Sequence, residues 1–555
     1  MRKYNYRSIV HIEDKILKLG FRARMPEDAA GRKVRVQAIF EEGDQERRFP
    51  MEVSTVEDDL GPQIFADAEV ELPYVFVKSP QQRVNVIFSV WLGMEETILR
   101  DQPFPIQEDY FQRPDEKRSR NPLKYLMGLC ALPFWIGKEY LKEKDKKTAF
   151  KAANATFYNF SGYSFSQRQR NTDYYAAQYQ HFLRKVPVKK NNILFLSERL
   201  PEEGGNLALL MEACRRNPEI SVSRFIQPRT VEQLSRRQLR DCARKCARAH
   251  VIVLEDFYPQ LHSLKLRPET RVVQLWHACG AFKTFGLTRM GKQGGAPQSS
   301  LNHRNYDLAT VSSEAIRGIY AEAFGIHTDK VQALGTPRTD VLYDDAYKEQ
   351  TRKALYDKYP QLKGRKVVLF APTFRGDGNR DAYYPDQAFD VNHFLQGMPE
   401  DVFCIVKHHP FVHQEIMVED GYKHRVLDLT GKDHINDLML ISDLLITDYS
   451  SSVFEAAILD LPMLFYAFDK KEYIESRDFY CDYDHFAPGY IESDFDGMTE
   501  RARAMLCGRT DRQEEQQIAE KKVRFRQDFL SALDGHSTQR IADYIVREML
   551  SKLEK

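Results

Sequence analysis

The sequence predicts an α/β protein: two successive parallel-sheet units, preceded by an all-β region and a helical connector. Three observations predict it. From residue 189 onward, short apolar runs alternate with stretches of helical length, as a parallel sheet covered on both faces requires. Residues 1–105 instead alternate apolar and polar positions, the period of half-buried strands. The apolar runs of the α/β half end in histidine, arginine, lysine and serine, where open α/β sheets hold their ligands.

The elements follow in order. In residues 1–105, strands are expected at 34–40, 68–72 and 84–90, punctuated by turns such as Gly61-Pro62. A small β-sandwich is the economical reading. This region has no clustered histidine and no glycine-rich phosphate loop, so it reads as an accessory or interaction module. Residues 106–188 are polar, aromatic and charged, and read as helical connector. The first α/β unit is placed at 189–350, with strands near 193–197, 251–254 and 271–275 and helices at 206–216 and 230–248. The second is placed at 351–555, with strands at 367–370, 402–406, 444–447 and 463–466 and a charged closing helix at 511–555. No repeat of solenoid period occurs.

Composition excludes more than it names. At 555 residues the chain holds two or three domains. Its 81 Lys+Arg against 80 Asp+Glu argue against a general nucleic-acid binder. The eight cysteines, several within apolar runs, fit free thiols in a reducing compartment. Cys242 and Cys246 read as one face of a helix or as half a zinc site. No second Cys/His pair at ligand spacing lies nearby, so no metal is expected.

Met1 leads into polar sequence, without the pattern of a signal peptide. No window approaches the roughly 20 apolar residues that span a bilayer. The nearest, residues 125–137, contains Pro133 and has Lys117, Arg118, Arg120 and Lys124 before it and Lys138, Lys142 and Lys144 after it. It reads either as a buried helix joining domains or as an interfacial segment on anionic lipid, with Phe134 and Trp135 at the headgroups.

Five strand ends carry the candidate chemistry. His277 follows Trp276; Gly335-Thr336-Pro337-Arg338-Thr339-Asp340 follows the run 331–334; Pro372-Thr373-Phe374-Arg375 follows 367–370. Lys407-His408-His409-Pro410 follows 402–406, and Asp448-Tyr449-Ser450-Ser451-Ser452 follows 444–447, just before a helix that carries Glu455. Serines at a strand-to-helix turn offer hydroxyls and helix-capping geometry, and such a turn favours an anion. Guanidinium groups at Arg338 and Arg375 match phosphate oxygens. Taken singly, a serine turn is an ordinary cap and an arginine a surface charge; together with Lys407 and the histidines they favour a phosphate-bearing substrate. His408 and His409, adjacent on a strand, point to opposite faces, so at most one enters the cleft. Neither a P-loop nor a Gly-x-Ser-x-Gly elbow is present.

In this order the motifs resemble the CDP-glycerol glycerophosphotransferase family, the teichoic-acid primases and polymerases. The family's Trp-His-Gly-Thr-Pro-Leu-Lys-Lys-Leu-Gly is similar to the segment from Trp276-His277-Ala278-Cys279 to Gly286, and its Gly-x-Pro-Arg-Asn-Asp to Gly335 through Asp340. Its Ala-Pro-Thr-Trp-Arg resembles Ala371 to Arg375, its Arg-x-His-Pro Lys407 to Pro410, and its Thr-Asp-Tyr-Ser-Ser-x-x-Phe-Asp Thr447 to Glu455. The segment from Phe529 through Asp534-Gly535-His536-Ser537 to Ile541 resembles its closing motif. Together they cover roughly residues 190–545.

The resemblance implies a GT-B-like fold, two facing Rossmann-type domains with the active site between them. It implies transfer of glycerol phosphate or ribitol phosphate from CDP-glycerol or CDP-ribitol to a lipid-linked teichoic-acid-type acceptor, releasing CMP without a cofactor. His277 would be the general base on the acceptor hydroxyl, and His409 would contact the donor pyrophosphate. Arg338, Pro372, Thr373, Arg375, Lys407, Asp448, Ser450, Ser451 and Glu455 would line the donor site. The expected place is peripheral, on the cytoplasmic face of the cell membrane. Two other classes compete: a nucleotide-sugar glycosyltransferase of the same fold, and a non-catalytic membrane assembly scaffold.

Overall fold

The computed structural model describes the chain outside residues 1–5, 14–15, 26–31, 43–44, 59–60, 72–82, 85, 101–103, 106–121, 162–165, 200–204, 263, 290–294, 296–301, 304, 377–380 and 551–555. Strands β1 (Tyr6–Glu13), β2 (Ile16–Arg24), β3 (Val34–Glu42), β4 (Gln45–Pro50), β5 (Glu52–Asp58) and β6 (Gly61–Glu71) are followed by β7 (Arg83–Val84), β8 (Ile87–Leu92), β9 (Glu95–Arg100) and β10 (Phe104–Pro105). Two antiparallel sheets, β1-β2-β6-β5 and β4-β3-β8-β9, face each other, and β7 pairs with β10. Period-two alternation builds the core: Leu17, Leu19 and Phe21 of β2 meet Val36, Ala38 and Phe40 of β3. The sandwich is as expected.

Strand β8 is not half-buried, however; all six of its residues are buried. Its outer face is covered by the first α/β unit, where a Cβ on Gly318 would stand 2.7 Å from the Trp91 ring. Arg35 on the same outer face pairs with buried Glu322 at 2.6 Å, its guanidinium 4.8 Å from both the Trp91 and Tyr480 rings. Buried Arg48 lies between Glu46 at 2.5 Å and Glu96 at 2.7 Å. The sandwich is therefore a packed part of the molecule.

The connector holds α1 (Pro122–Glu143), α2 (Lys146–Ser161) and α3 (Gln167–Lys185). The first two form a hairpin in which Gly128 lies against Phe157 and Trp135 meets Phe160 edge-on at 5.9 Å. Of the two readings of residues 125–137, the buried helix is overturned: Leu126, Met127 and Phe134 are 60%, 56% and 72% exposed. Lys117, Arg118 and Arg120 lie outside the described residues. No described helix is long and apolar enough to cross a membrane.

The first α/β unit contains β11 (Asn192–Ser197), β12 (Ser221–Ile226), β13 (Val251–Leu254), β14 (Arg271–Gln274), β15 (Leu308–Thr310) and β16 (Val331–Gln332), all parallel, in the order β12-β11-β13-β14-β15-β16. Helix α4 (Asn206–Arg216) is as expected. The expected 230–248 helix is two pieces, a short turn at Val231–Gln233 and then α5 (Arg236–Arg248), because Ser235 and Gln238 close a capping box between them. The second unit has β17 (Lys366–Phe370), β18 (Val402–Val406), β19 (Val426–Asp428), β20 (Leu444–Thr447), β21 (Met463–Tyr466) and β22 (Tyr490–Glu492), in the parallel order β19-β18-β17-β20-β21-β22. Strand order reverses between β11 and β13 in one sheet and between β17 and β20 in the other. These switch points are where such sheets bind ligands.

The closing segment departs from a continuous helix. A helix at Arg512–Leu530 ends, Gly535 turns at φ +84, and a second helix runs Ser537–Tyr544. Ile541, Ala542, Ile545 and Met549 pack with Leu207, Leu210 and Met211 of α4. The sequence reading keeps everything to residue 555 in the second unit; the structure returns 537–550 to the first, because that helix buries its apolar stripe there.

Burial lowers the pKa of His408 and, more strongly, of His303. Both stay neutral in the folded chain and take up protons on unfolding below about pH 6.5. Their contribution is therefore complete above that pH and declines as pH falls towards their folded-state values. Thermal melts should show Tm falling from pH 7.5 to pH 5, with a flatter profile for His303→Phe. Identical slopes for the two proteins would contradict this.

Candidate active site

The C-terminal edges of the two sheets meet, and the candidate residues lie along that seam. Arg338, beyond β16, donates to Glu455, in the helix Val453–Ile458 beyond β20. The segment after His277 crosses the seam. Phe282 stacks between Phe479 and Phe486, with ring centroids at 4.2 and 3.8 Å, and Lys283 donates to the Tyr473 hydroxyl at 2.8 Å. Gly280, at φ +66, lies so close to Phe454 that a Cβ would stand 2.2 Å from the ring. Alanine there combines left-handed strain with overpacking, a loss of about 2–4 kcal/mol. Chemical denaturation of Gly280→Ala should show it, and an unchanged midpoint would refute this close approach.

On the first wall, Trp276 takes the left-handed conformation, φ +59, which is unusual for a bulky residue. Two buried amides hold it. Gln274 Oε1 accepts from the Trp276 N–H at 2.8 Å, and Asn206 Nδ2 donates to the Trp276 carbonyl at 2.8 Å. Asn206 Oδ1 also accepts from the Arg338 N–H at 2.9 Å, tying two strand ends together. The turned backbone presents His277, 43% exposed, with Nδ1 3.3 Å from Asp256 Oδ1. Burial works against the Asp256 carboxylate, yet the hydrogen bond and charge of His277, and then Arg199 at 2.7 Å, hold its pKa below the ordinary value. An ionised Asp256 keeps the proton on Nδ1 and leaves the Nε2 lone pair facing outward, the geometry of an oriented base.

Asp256 was not among the sequence candidates. It follows β13 as His277 follows β14, at the first sheet's switch point, so the rule of strand ends points to it as well. Asparagine at 256 could donate to Nδ1 and would reverse the tautomer. Asp256→Asn should lower kcat on the order of 10²–10⁴-fold with donor affinity retained. Unchanged kcat would remove Asp256 from this role.

On the second wall, His408 and His409 separate as expected. His408 is buried against Tyr384 and Phe370, with ring centroids at 5.3 and 6.1 Å. His409 faces the seam beside Phe374 (4.8 Å) and Phe411 (4.5 Å). Burial and then the charge of Lys283, from the opposite wall, lower its pKa. Nδ1 accepts from the Phe411 N–H at 3.2 Å, so the neutral ring carries its proton on Nε2, a donor towards the cleft. Lys283 is a second residue the sequence reading missed; it belongs to a quoted motif but to no strand end.

The other candidates divide. Arg375 is not presented to a ligand. Its guanidinium forks onto Asp469 at 2.6 and 2.8 Å and reaches Asp448 at 3.1 Å, all buried or nearly so. Asp448 Oδ1 accepts from the Thr373 N–H and hydroxyl, each at 2.8 Å, and from the Tyr449 N–H at 2.6 Å. Arg375, Asp448 and Thr373 thus fix the turns beyond β17 and β20 against each other, with Pro372 buried at the start of the first. The Lys407 ammonium donates to the carbonyls of Leu429 at 3.0 Å and Lys432 at 2.6 Å, and burial lowers its pKa.

The serines do not cap the helix as expected. Ser452 is its first flanking residue and makes no side-chain capping bond, while Ser450 Oγ accepts from the Ser452 N–H at 3.2 Å and meets Ser452 Oγ at 2.8 Å. Ser451 is exposed. Asp340 accepts from the Ser537 and Thr538 N–H groups at 2.9 and 2.7 Å, capping the last helix. Cys242 and Cys246 lie on the buried face of α5 beside Tyr258 and Tyr175. Glu41, Glu46 and His327, away from the seam, are the described group whose ligand atoms could close on an ion. Glu46 and Glu41 already hold Arg48 and Arg100.

The chain resembles known proteins in both sequence and fold. Residues 177–547 match a family model described as CDP-glycerol:poly(glycerophosphate) glycerophosphotransferase. The chain is 38% identical over 380 residues to a teichoic acid poly(ribitol-phosphate) polymerase of Bacillus spizizenii, a match covering 68% of this chain and 60% of that one. It is 36% identical over 364 residues to the teichoic acid ribitol-phosphate polymerase TarK of Staphylococcus aureus, covering 65% and 69%. The solved wall teichoic acid polymerase TagF superposes with a TM-score of 0.54 at 20% identity, over 70% of this chain and 95% of that one, which shows the GT-B-like fold.

Proposed function

Because the chain belongs to the CDP-glycerol:poly(glycerophosphate) glycerophosphotransferase family, we propose that it transfers a polyol phosphate from a CDP-alcohol to a hydroxyl of a teichoic-acid-type acceptor and releases CMP. The observation that carries this reading is the pairing of an Asp256-oriented His277 on one wall with a neutral, Nε2-donating His409 on the other. His277 Nε2 takes the acceptor's proton. The acceptor oxygen attacks the phosphorus that bears the polyol, the phosphoanhydride bond breaks, and CMP leaves with the bonding pair. His409 Nε2–H, with the Ser450 and Ser451 hydroxyls, faces the charge that grows on the leaving phosphate. Arg338, held by Glu455, borders the same site. Pro372, Thr373, Arg375, Lys407 and Asp448 shape its floor.

Ribitol is the favoured polyol, since the two relatives quoted above are ribitol-phosphate polymerases. The test is a donor panel of CDP-ribitol, CDP-glycerol and UDP-sugars with a lipid-linked acceptor. CMP release from CDP-ribitol, exceeding that from CDP-glycerol, is expected. Consumption of a UDP-sugar alone would move the chain to the glycosyltransferases, and no binding of any CDP-alcohol would favour a scaffold.

With a lipid-linked acceptor, we place the enzyme at the cytoplasmic face of the membrane, a reading that the exposed apolar face of the α1–α2 hairpin supports. It exposes Leu123, Leu126, Phe134, Leu141 and Phe150 alongside Lys138, Lys142 and Lys146. Apolar insertion plus lysine attraction is the mode of interfacial helices on anionic lipid. Leu126→Asp with Phe134→Asp should abolish flotation with phosphatidylglycerol vesicles. Undiminished flotation would reject the hairpin as the anchor.

A further inference from the structure

Helix α5 carries a charge arrangement that its own stability does not explain. Its sequence, Arg236-Arg237-Gln238-Leu239-Arg240-Asp241-Cys242-Ala243-Arg244-Lys245-Cys246-Ala247-Arg248, holds six basic residues and one acidic. Leu239, Cys242, Ala243, Cys246 and Ala247 face the core, and Arg236, Arg237, Arg240, Arg244 and Arg248 are exposed. Arg236, Arg240, Arg244 and Arg248 recur every four residues, so each repels the next along one ridge. Arg236 and Arg237 also stand in the first turn, where a helix favours acids, and no acid is there. A solvated surface helix ordinarily alternates signs. This one does not.

The ridge has a direction and a neighbour. In a parallel α/β unit the helix starts at the C-terminal edge of the sheet, and Gln238 at the start of α5 reaches Gln227, just past β12, at 3.2 Å. Arg236 is therefore at the cleft end and Arg248 at the far end. Helix α3 packs beside α5, with Tyr174 under Arg236 at 4.2 Å and Phe182 near Arg240 at 5.8 Å. It adds exposed Arg168 and Arg170 at the cleft end and Arg184 and Lys185 at the other, where Lys189 and Lys190 follow. Arg168 lies near enough to Glu198 to bias its charge, and Glu198 near enough to Asp256. The cleft end of the track thus lies near Glu198, with exposed Glu232 beside it and Asp256 beyond, and from there the track runs down the flank of the first unit.

From this placement we propose that the α3–α5 arginine ridge binds a linear phosphodiester polyanion, the growing polymer that leaves the cleft. The proposal rests on the polyol-phosphate reading above. Successive ridge arginines are separated by about 6 Å along the axis, so the row offers a phosphate of a flexible polyol-phosphate chain a cation at whichever turn it reaches. Arginine in place of lysine suits it, since the planar fork grips phosphate oxygens two at a time. A bilayer is the poorer fit. Among the described residues, the large exposed apolar side chains near the connector lie on α1 and α2, and none lies on α3 or α5. A charged face without insertion residues matches a soluble polyanion.

The test uses the full chain with Arg240, Arg244 and Arg248 all changed to Gln, distant from the cleft, and a parallel set changed to Lys. Long-chain inorganic polyphosphate and tripolyphosphate serve as probes. The Gln variant should bind the long chain about tenfold more weakly, with a log–log salt slope smaller by about 2, and tripolyphosphate unchanged. The Lys variant should retain most of the affinity, which separates charge from misfolding. With CDP-ribitol in excess, the Gln variant should add the first unit to a short acceptor at the normal rate but make shorter products. Unchanged polyphosphate affinity in the Gln variant overturns the proposal, as does loss of flotation with phosphatidylglycerol vesicles while polyphosphate binding persists. If no CDP-alcohol is turned over by the wild-type chain, the family-based reading fails while the polyphosphate measurement still decides the ridge.

Discussion

His277→Ala is expected to abolish transfer, lowering CMP release on the order of 10²–10⁴-fold or more, while CDP-ribitol still binds. General-base contributions have this size. The seam explains why binding should survive. His277 is aimed by Gln274, Asn206 and Asp256, all of the first unit, whereas His409, Ser450 and Ser451 belong to the second. Removal of the imidazole leaves an exposed gap and no buried charge, so Tm should stay within a few degrees. Near-normal CMP release with the true acceptor would end the base assignment. His277→Gln, which keeps bulk and polarity without a base, should be as inactive as alanine.

Arg338→Ala is expected to damage both folding and donor binding. Glu455 is 2% exposed and receives the Arg338 guanidinium across the seam. Without that partner a buried carboxylate faces the cleft uncompensated, a loss on the order of 3 kcal/mol. It also loses the tie that joins the β16 and β20 strand ends. Glu455→Gln made together with Arg338→Ala should recover part of the stability, because the stranded charge is gone, but not donor affinity. The comparison is a double-mutant cycle in denaturation midpoint and in CDP-ribitol affinity. Additive stability losses would show that the pair is not coupled.

Much of the fold is legible in sequence because it rests on local period. Alternation predicts the sandwich, and apolar runs separated by helical stretches predict both parallel sheets. What is not legible depends on partners distant in the chain. The burial of β8 on both faces needs the Gly318 surface of another unit. Return of Ser537–Tyr544 to the first unit depends on α4, more than three hundred residues earlier.

The site divides in the same way. Strand ends locate His277 and His409, and the rule extends to Asp256. Nothing local reveals that Arg375 is consumed by Asp469, 94 residues away. A guanidinium after a strand reads as a phosphate ligand until its carboxylates are placed. Lys407 is similar, since its carbonyl partners lie on a loop 22 and 25 residues further on. With those two cations engaged by protein groups, the proposed mechanism assigns the donor's charge to His409 and the serine turn.

That division of labour is what titration of CDP-ribitol, by calorimetry, into the wild-type, His277→Ala and His409→Ala chains tests most directly. Donor affinity within about threefold of wild type for His277→Ala and at least tenfold weaker for His409→Ala, roughly the loss of one hydrogen bond to a charged group, is the expected result. Donor binding lost in His277→Ala and kept in His409→Ala would contradict the assignment of the two histidines to opposite sides of the reaction.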